Sequence, residues 1–373
     1  MNPGFTAEEE AFRAEVVAFL ADYRDLDAFF LQGHRWPQVR EFFTALAQRD
    51  WLSIGWSVAG GGSGKPLTYE YILWDEIGYA RAARPPLASG IVAKTIARYG
   101  DAAQRERWLP PIRRGEIHFS LAYSEPEAGS DLASARCRAE RRGDEYIVTG
   151  QKCWQSYAQD MDYLWTLVRT GSQESRGRGL TLLIIDKRTP GVRVSPLPTL
   201  DGDQLNEVFF DAVRVPAEQR IGPEDGAWKI MGEALADERH IQFPPGRVRR
   251  DLEEVIEWAR AHGLARDPRV RAVLADLAVR VAEAEASGLR VLDAMLRGTG
   301  GAVEAAANKV LHTVVCQEIA RAALDFGGPA ALVSGERVEL LWRQSLWETI
   351  GGGTSEVMRG VVARQALGLG GRS

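Results

Sequence analysis

The spacing of apolar residues changes twice along the chain, and this change constrains the fold more than any single motif. Residues 1–116 have helical spacing, beginning with Thr6 and Glu9, which have the order of a capping box at a helix start. Residues 117–222 consist of short apolar runs separated by turn residues, which is typical of β-strands. From 223 to 373 the helical spacing returns. The pattern therefore predicts an N-terminal α-helical domain, a middle β domain and a C-terminal α-helical domain.

Individual helices and strands can be placed within these three segments. The strand spacing in the middle segment favours a compact antiparallel β-barrel or sandwich, and the long helices after it favour a four-helix bundle. The predicted fold class is thus α+β, mostly α. The predicted helices cover residues 39–47, 69–79, 90–99, 269–296, 302–324 and 357–367, and the predicted strands cover 118–123, 134–140, 145–149, 152–157, 163–168, 180–185 and 207–215.

Composition argues against several classes of function. The net charge of −5, with basic and acidic residues interspersed, argues against a nucleic-acid binder. The sequence has no run of about 18 apolar residues and no signal-peptide pattern, so neither a membrane span nor secretion is expected. The 3 scattered cysteines suit a reducing compartment, which predicts a cytoplasmic protein. The 5 histidines have no ligand spacing, so no protein-built metal site is predicted.

Glu238 occupies a position where a carboxylate is unexpected. The apolar residues Trp228, Met231 and Leu235 recur at intervals of three and four, and Glu238 is the next position on that helical face. A charge on a core-facing stripe costs several kcal/mol unless it is paired or protonated. Two interpretations follow, namely a structural ion pair, for instance with Arg239, or a carboxylate tuned for proton abstraction.

Three further stretches contain residue types that suit ligand binding. Residues 121–131 run from a strand into a Pro/Gly turn that exposes backbone N–H groups and a hydroxyl, although an ordinary strand end has the same composition. Trp154 and Ser156 lie two apart, so they project from one side of a strand as a stacking surface and a hydrogen-bonding group, or as a core tryptophan beside a satisfied serine. In 351–356, glycines allow close backbone approach and a hydroxyl can cap the next helix, whose N-terminus attracts phosphate.

In this order and spacing, the stretches resemble the motifs of the acyl-CoA dehydrogenase family, and the resemblance covers essentially the whole chain. The family's TEPxAGSD motif corresponds to residues 124–131, its WIT/WIS flavin motif to 154–156 and its GGTSE motif to 352–356. An LxxER match spans 235–239. The resemblance implies a flavoenzyme that uses FAD as its cofactor.

The resemblance also implies which residues contact FAD. Trp154 would shield one face of the flavin ring, and Ser156 would bond near its reactive nitrogen. Ser130 would lie near an FAD phosphate or near the carrier portion of a thioester substrate. A glycine pair would touch FAD bound mainly to a neighbouring subunit, which implies an obligate oligomer, a dimer or a tetramer. The residues in these roles are Tyr123, Ser124, Gly129, Ser130, Trp154, Ser156, Gly327, Gly328, Thr354 and Glu356.

The position of the catalytic base departs from the commonest family pattern. Many members carry a glutamate just before the Gly-Thr of the GGTSE segment, where this chain has Gly352. Another branch carries its base at the LxxER motif, where this chain has Glu238. The resemblance therefore implies Glu238 as the base and Gly352 as a backbone N–H donor to the thioester carbonyl. Arg239 would organise the base or the bound substrate.

Two other departures concern the FAD contact between subunits. The family's Arg-x-x-Phe-Gly stretch is replaced at 259–263, and the glutamine before the glycine pair is replaced by Leu324. These changes are compatible with weaker FAD binding, with a rebuilt contact, or with a heteromer whose partner completes the site. A subgroup that acts on bulky or sterol-like acyl groups shows similar losses.

The implied activity is α,β-dehydrogenation of an acyl thioester, carried by coenzyme A or by a carrier protein. An electron-transfer flavoprotein is the expected electron acceptor. Two alternatives stay open at this point: a flavin oxidase or monooxygenase on the same scaffold, and a non-catalytic partner subunit of a mixed oligomer.

Overall fold

The computed structural model describes residues 4–29, 31–238 and 240–370. The helices are α1 (Ala7–Leu20), α2 (Trp36–Ala47), α3 (Leu67–Tyr79), α4 (Ala93–Tyr99), α5 (Ala102–Arg113), α6 (Ala227–Asp237), α7 (Pro245–Ala261), α8 (Pro268–Leu296), α9 (Ala302–Gly327), α10 (Arg337–Glu348) and α11 (Ser355–Gln365). The strands are β1 (Phe119–Ala122), β2 (Arg138–Arg142), β3 (Glu145–Ser156), β4 (Tyr163–Arg169), β5 (Leu180–Asp186), β6 (Val192–Pro198), β7 (Gln204–Pro216) and β8 (Arg220–Ile221).

The chain divides into two compact units, each assembled from separated segments. The helical unit contains residues 4–29, 67–84 and 240–370 of the described chain, and the mixed unit contains Leu31–Pro66 and Pro85–Glu238. The predicted domain boundaries at 116/117 and 222/223 stay a prediction. None of the helices in the described ranges is both long and apolar enough to cross a membrane.

The helical unit joins the early helices α1 and α3 to the later helices α7–α11. The predicted capping box is present, because the hydroxyl of Thr6 accepts from the backbone N–H of Glu9 at 3.2 Å and the carboxylate of Glu9 accepts from the N–H of Thr6 at 2.7 Å. Phe12 of α1 then packs on Tyr69 of α3, with ring centroids 5.0 Å apart. Helices α7–α10 pack on one another as the predicted four-helix bundle, and α11 lies against α9.

The mixed unit is built around an eight-stranded sheet of order β6-β7-β3-β2-β4-β5-β8, with β1 paired to β4. Most pairs are antiparallel, as predicted, but β1 and β2 both run parallel to β4. The predicted antiparallel arrangement therefore describes most of the sheet, and the pairing of β1 and β2 with β4 is the exception. The segment 123–137, between β1 and β2, is long enough to return the chain before pairing, which a hairpin turn could not do.

Strand β4 separates two hydrophobic cores of the mixed unit. Leu164 and Val168 contribute to the core inside the sheet, whereas Trp165 and Leu167 contribute to the core beneath α4, α5 and α6. These four side chains have no exposed surface. A strand buried on both faces is read in sequence as a continuous apolar run, and β4 has this pattern.

Several predicted boundaries differ from the structure. The segments 145–149 and 152–157, predicted as two strands with a turn between them, form the single strand β3, because the backbone at Gly150 (φ +148°) accommodates a bulge instead of a reversal. The predicted helix 90–99 is a π-helical turn, Ala88–Val92, followed by α4. The sequence patterns placed no individual helix or strand at α5, α7, α10, β6 or β8.

Candidate functional site

Glu238 is buried, with 5% of its surface exposed. It is the first residue beyond α6, which ends one residue earlier, so it does not lie within the helix. The buried face of α6 differs from the predicted one, since Trp228 and Leu235, which were predicted to face the core, are 46% and 38% exposed. The helix α6 packs against the π-helical turn and β5. The buried residues of α6 are Ala227, Ile230, Met231 and Ala234.

The carboxyl group of Glu238 lies against the π-helical turn Ala88–Val92. This turn departs from helical geometry at Gly90, which has φ −85° and ψ −105°. A Cβ placed on Gly90 would lie 2.5 Å from Cδ of Glu238 and would overlap its Oε1. The carboxyl group thus occupies the volume that a side chain at position 90 would fill.

Tyr123 supplies a hydroxyl close to Glu238. Its oxygen accepts a hydrogen bond from Nε1 of the fully buried Trp165 at 2.9 Å. Burial raises the pKa of Tyr123 above its ordinary value, and the negative charge of Glu238 raises it further. Tyr123 is therefore a neutral, oriented hydroxyl in the electrostatic field of the carboxylate.

A buried ion pair fixes the turn that follows β1. Lys152 has no exposed surface, and its Nζ contacts Oε1 of Glu125 at 2.8 Å and donates to the carbonyl oxygen of Tyr123 at 2.9 Å. The carboxylate of Glu125 also accepts from the backbone N–H groups of Arg136 at 2.6 Å and Cys137 at 2.8 Å. With these partners, the ion pair positions the backbone that carries the predicted flavin-lining residues.

The predicted flavin motif lies at a bulge in β3. Trp154 has φ +71° and an exposed indole, with 58% of the residue accessible. A left-handed conformation costs a bulky residue about 1–3 kcal/mol and occurs mostly at functional sites. The bulge is anchored by the N–H of Cys153, which donates to the carbonyl of Ser124 at 2.9 Å. Ser156 is half-buried, and its carbonyl accepts from the hydroxyl of Ser120 at 2.8 Å.

The turn at 129–131 is open to solvent. Gly129 and Ser130 are both exposed, and a Cβ on Gly129 would meet no atom of the described chain within 4 Å. Asp131 forms a surface ion pair with Arg176. The backbone here is accessible to a ligand, while the specific roles of Gly129 and Ser130 stay predictions.

In the helical unit, the glycine pair ends α9 next to an aromatic stack. A Cβ on Gly327 would fall 2.5 Å from the indole ring of Trp258, and Gly328 has φ +54°. His262 stacks on Trp258 with ring centroids 4.2 Å apart. The segment 259–263, which departs from the family pattern, therefore places an imidazole on the indole that packs against the glycine pair.

The turn before α11 requires glycine and ends in a helix cap. Gly352 and Gly353 have φ of +68° and +96°, a region that glycine adopts without steric cost. The hydroxyl of Thr354 accepts from the N–H of Val357 at 3.2 Å and caps α11. Glu356 lies in the first turn, where hydrogen bonds from its own backbone N–H and from Thr354 lower the pKa of its carboxyl.

The structure places the predicted residues in two groups, one in each unit. Tyr123, Ser124 and Glu238 belong to the mixed unit with the 129–130 turn and the flavin motif, whereas Gly352 belongs to the helical unit with the glycine pair and the α11 cap. Arg239, predicted to organise the base or substrate, lies outside the described residues.

Sequence reasoning missed three residues that shape the site, namely Gly90, Lys152 and Trp165. Lys152 follows Gly150 and Gln151 in a polar stretch, and its partner Glu125 is distant in sequence. None of the three residues carried a clear sequence signal, because their importance comes from contacts between segments distant in sequence.

Comparison with known proteins identifies matches along nearly the whole chain. Three family models match in order: the acyl-CoA dehydrogenase N-terminal domain at residues 6–116, the middle domain at 120–213 and the C-terminal domain at 225–367.

Individual relatives cover most of this chain and of their own length. The acyl-CoA dehydrogenase FadE26 of Mycobacterium tuberculosis is 35% identical over 351 residues, 88% of each chain. The solved Tcur3481-Tcur3483 steroid ACAD is 30% identical, with a TM-score of 0.91 and full coverage of both chains. A chain of the ChsE4-ChsE5 complex of Mycobacterium tuberculosis is 32% identical, with a TM-score of 0.89 and full coverage of both chains.

Proposed function

Because the chain belongs to the acyl-CoA dehydrogenase family, we propose that it converts an acyl-CoA to a 2-enoyl-CoA with Glu238 as the catalytic base. The family establishes an FAD-dependent oxidoreductase, so the predictions of family, enzyme class and cofactor are confirmed. The identity of the base, the acyl group and the assembly are the parts that we propose.

Features of each unit, taken by itself, suit a part of FAD. In the mixed unit, the exposed indole of Trp154 lies in a bulge next to the half-buried Ser156, which suits stacking and hydrogen bonding to a planar ring. In the helical unit, the capped N-terminus of α11 directs N–H groups and the positive end of a helix dipole outward, which suits a phosphate. These observations support the roles of Trp154, Ser156 and Thr354 in cofactor binding.

The chemistry we propose divides between the cofactor and the chain. FAD, when bound, supplies the acceptor for a hydride from the β-carbon of the substrate. Glu238 takes the α-proton onto a carboxylate oxygen. The backbone N–H of Gly352 is the expected donor to the thioester oxygen as negative charge develops on it. Tyr123, a neutral hydroxyl fixed by Trp165, maintains a polar but uncharged neighbourhood for the base.

The observation that carries this proposal is the burial of Glu238 in a specific location. A carboxylate that is 95% inaccessible is costly to the fold, and the three atoms nearest to a Cβ placed at position 90 all belong to this carboxyl group. A structural ion pair, the alternative interpretation, does not require this open backbone position.

The experiment that tests the base is Glu238→Gln, with Glu233→Gln as the matched control. Glu233 lies within α6, and at its partly exposed position it accepts a hydrogen bond from the hydroxyl of Tyr99. We expect Glu238→Gln to retain FAD, measured by its absorbance spectrum, and to lose about 10²–10⁴-fold in kcat. Glu233→Gln should stay close to wild type. Undiminished kcat in Glu238→Gln would exclude Glu238 as the base.

For the substrate, we propose a bulky, steroid-like acyl group. The support is the likeness to a protein described as a steroid ACAD, at 30% identity over the full length, together with the altered residues at 259–263 and Leu324. We also propose electron-transfer flavoprotein as the electron acceptor, as in the family pattern.

For the assembly, we propose an oligomer in which a second subunit completes the FAD contact. The replaced 259–263 segment and Leu324 support a heteromer, as does the likeness to a chain of the ChsE4-ChsE5 complex. A homodimer or homotetramer is the alternative, in which the stack of Trp258 and His262 against Gly327 serves as a rebuilt contact.

A further inference from the structure

Gly90 is the point at which the backbone of one segment meets the carboxyl group of Glu238. A Cβ on Gly90 would lie 2.5 Å from Cδ of Glu238 and 3.3 Å from Oε2, and it would overlap Oε1. All three atoms of the carboxyl group are therefore in contact with the volume above the Gly90 Cα. Even the smallest side chain at position 90 would compete with the carboxyl group for the same space.

The backbone at Gly90 is held from both sides. The carbonyl of Ser89 accepts from Nε1 of the buried Trp56 at 2.6 Å. On the other side, the hydroxyl of Thr95 donates to the carbonyl of Ile91 at 2.6 Å. Because these groups are buried and bonded, the π-helical turn cannot move aside cheaply. An added methyl group would displace the carboxyl group, not the turn.

The helix that leads into Glu238 is anchored in a hydrophobic core. The buried residues of α6, among them Ile230 and Met231, pack in the core beneath this helix, and α6 contacts both the π-helical turn and α4. Contact with Gly90 is one restriction on the side-chain torsions of Glu238, because the carboxyl group fills the open volume above the Gly90 Cα.

We propose that Gly90 is a positioning residue, whose missing side chain provides the seat that sets the location and reach of the Glu238 carboxyl group during proton abstraction. The inference rests on the proposed role of Glu238 as base. It adds the requirement that the open volume at Gly90 hold the carboxyl group in place. It assigns the irregular turn Ala88–Val92 a function in the reaction geometry. The turn acts on the reaction through Glu238, whose carboxyl group it contacts at Gly90.

The first test is Gly90→Ala, with Gly232→Ala as the matched control. Gly232 is an exposed glycine of α6, and a Cβ there meets no described atom within 4 Å. We expect Gly90→Ala to lose about 10²-fold in kcat, because a displacement near 1 Å has about that effect. Its KM and its FAD absorbance should stay close to wild type, while Gly232→Ala should leave kcat unchanged.

The second test is a double-variant cycle with Glu238→Asp, which shortens the side chain by one methylene. In the wild-type background this change withdraws the carboxyl group from its seat, and we expect kcat to fall. In the Gly90→Ala background the same change removes the overlap, so we expect kcat to rise about tenfold relative to Gly90→Ala. A tenfold change in kcat corresponds to about 1.4 kcal/mol, and the difference between the effects in the two backgrounds measures the coupling of the two residues. A role of Gly90 in general stability alone predicts no such reversal of sign.

The outcomes separate this inference from the proposed function. If Glu238→Gln is inactive and Gly90→Ala has wild-type kcat, the proposed positioning role of Gly90 is wrong and the assignment of Glu238 as the base stands. If Glu238→Gln is fully active, the base assignment itself fails. If Gly90→Ala fails to fold, the double variant Gly90→Ala/Glu238→Asp decides. Recovery of the melting temperature and FAD content in the double variant supports the positioning role of Gly90, whereas an equally unfolded double variant overturns it.

Discussion

At the residue scale, the buried pair of Lys152 and Glu125 links stability to the site. A lysine without exposed surface is tolerated because the carboxylate of Glu125 at 2.8 Å and a backbone carbonyl at 2.9 Å compensate its charge. The same carboxylate accepts two backbone N–H groups. One ion pair thereby fixes the turn after β1, and its cost is offset only while both partners are present.

Substitution of this lysine should destabilise the protein strongly. We expect Lys152→Met to lower the free energy of unfolding by about 3–5 kcal/mol, because the Glu125 carboxylate would be left buried without its cation. The control is Lys229→Met, whose side chain is 80% exposed, and which should cost less than about 1 kcal/mol. Denaturant unfolding of the two variants measures the difference. Equal losses would mean that the buried pair adds nothing.

Individual residues were predictable where the sequence departs from a pattern. Glu238 was found as a charge on an apolar stripe, although the stripe was assigned one residue out of phase and the helix ends before it. Gly90 was not found, because glycine at a helix start has many ordinary explanations. Its significance depends on which atoms fill the space above its Cα, and no sequence pattern contains that information.

At the element scale, helix α2 packs on the start of β1 through contacts with an uncharged histidine. His118 lies edge-on to Trp36, with centroids 4.9 Å apart, and also contacts Phe43. Among the described residues, its buried Nε2 has no hydrogen-bond partner. Burial lowers the pKa of His118 from its ordinary value to about 4. The packing of α2 on β1 therefore depends on a neutral imidazole.

This arrangement predicts loss of stability in mild acid. Below pH 6.5 the unfolded chain binds a proton at this histidine that the folded chain excludes, so stability falls as the pH drops from 6.5 towards 4. The loss from His118 should be on the order of 2 kcal/mol between pH 7 and pH 5. His118→Phe should flatten the dependence of unfolding free energy on pH over this interval.

The control for the pH experiment is His34→Gln, since His34 is exposed. Part of the slope should remain in His118→Phe, because burial also lowers the pKa of His312, in the helical unit, to about 3. If His118→Phe has the same pH dependence as the wild type, the imidazole is not the group that couples acid to unfolding.

Helices were easier to place from sequence than strands. The amphipathic pattern of α8 runs over many turns, and α9 is a long segment rich in Ala, Leu and Val, so a few ambiguous residues do not obscure either helix. Strand β3 contains a bulge with a glycine at φ +148°, and local turn signals there were interpreted as a hairpin. Parallel pairing of β1 with β4 depends on contacts over 40 residues apart, which local patterns do not encode.

At the scale of the whole molecule, cofactor binding by the isolated chain distinguishes the remaining alternatives. We expect the chain purified alone to show a flavin absorbance spectrum, and anaerobic addition of a steroid-like acyl-CoA to bleach it. Straight-chain acyl-CoA thioesters of different lengths serve as controls. Bleaching by straight chains alone would contradict the proposed bulky acyl group.

Other results of the same measurement point to other assemblies or activities. A colourless protein that stays colourless with added FAD would support a partner subunit that completes the FAD site elsewhere. Rapid oxygen consumption after bleaching would favour the oxidase alternative. The family itself was predictable because three short motifs occur in order across the chain, whereas substrate and assembly depend on the shape of surfaces that no motif describes.

The interleaved segments of the two units also order events during synthesis. Residues of the mixed unit have all been made once Glu238 is added, but α3 of the helical unit packs against α7 and α8, and α7 begins only at Pro245. At roughly 5–20 residues per second, the roughly 165 residues between α3 and α7 take about 10–30 s to translate. During that interval the apolar side chains of α3, among them Ile72 and Leu73, lack their final partners. We therefore expect the nascent chain to need a chaperone most while the mixed unit is being translated, and to release it only as α7 emerges.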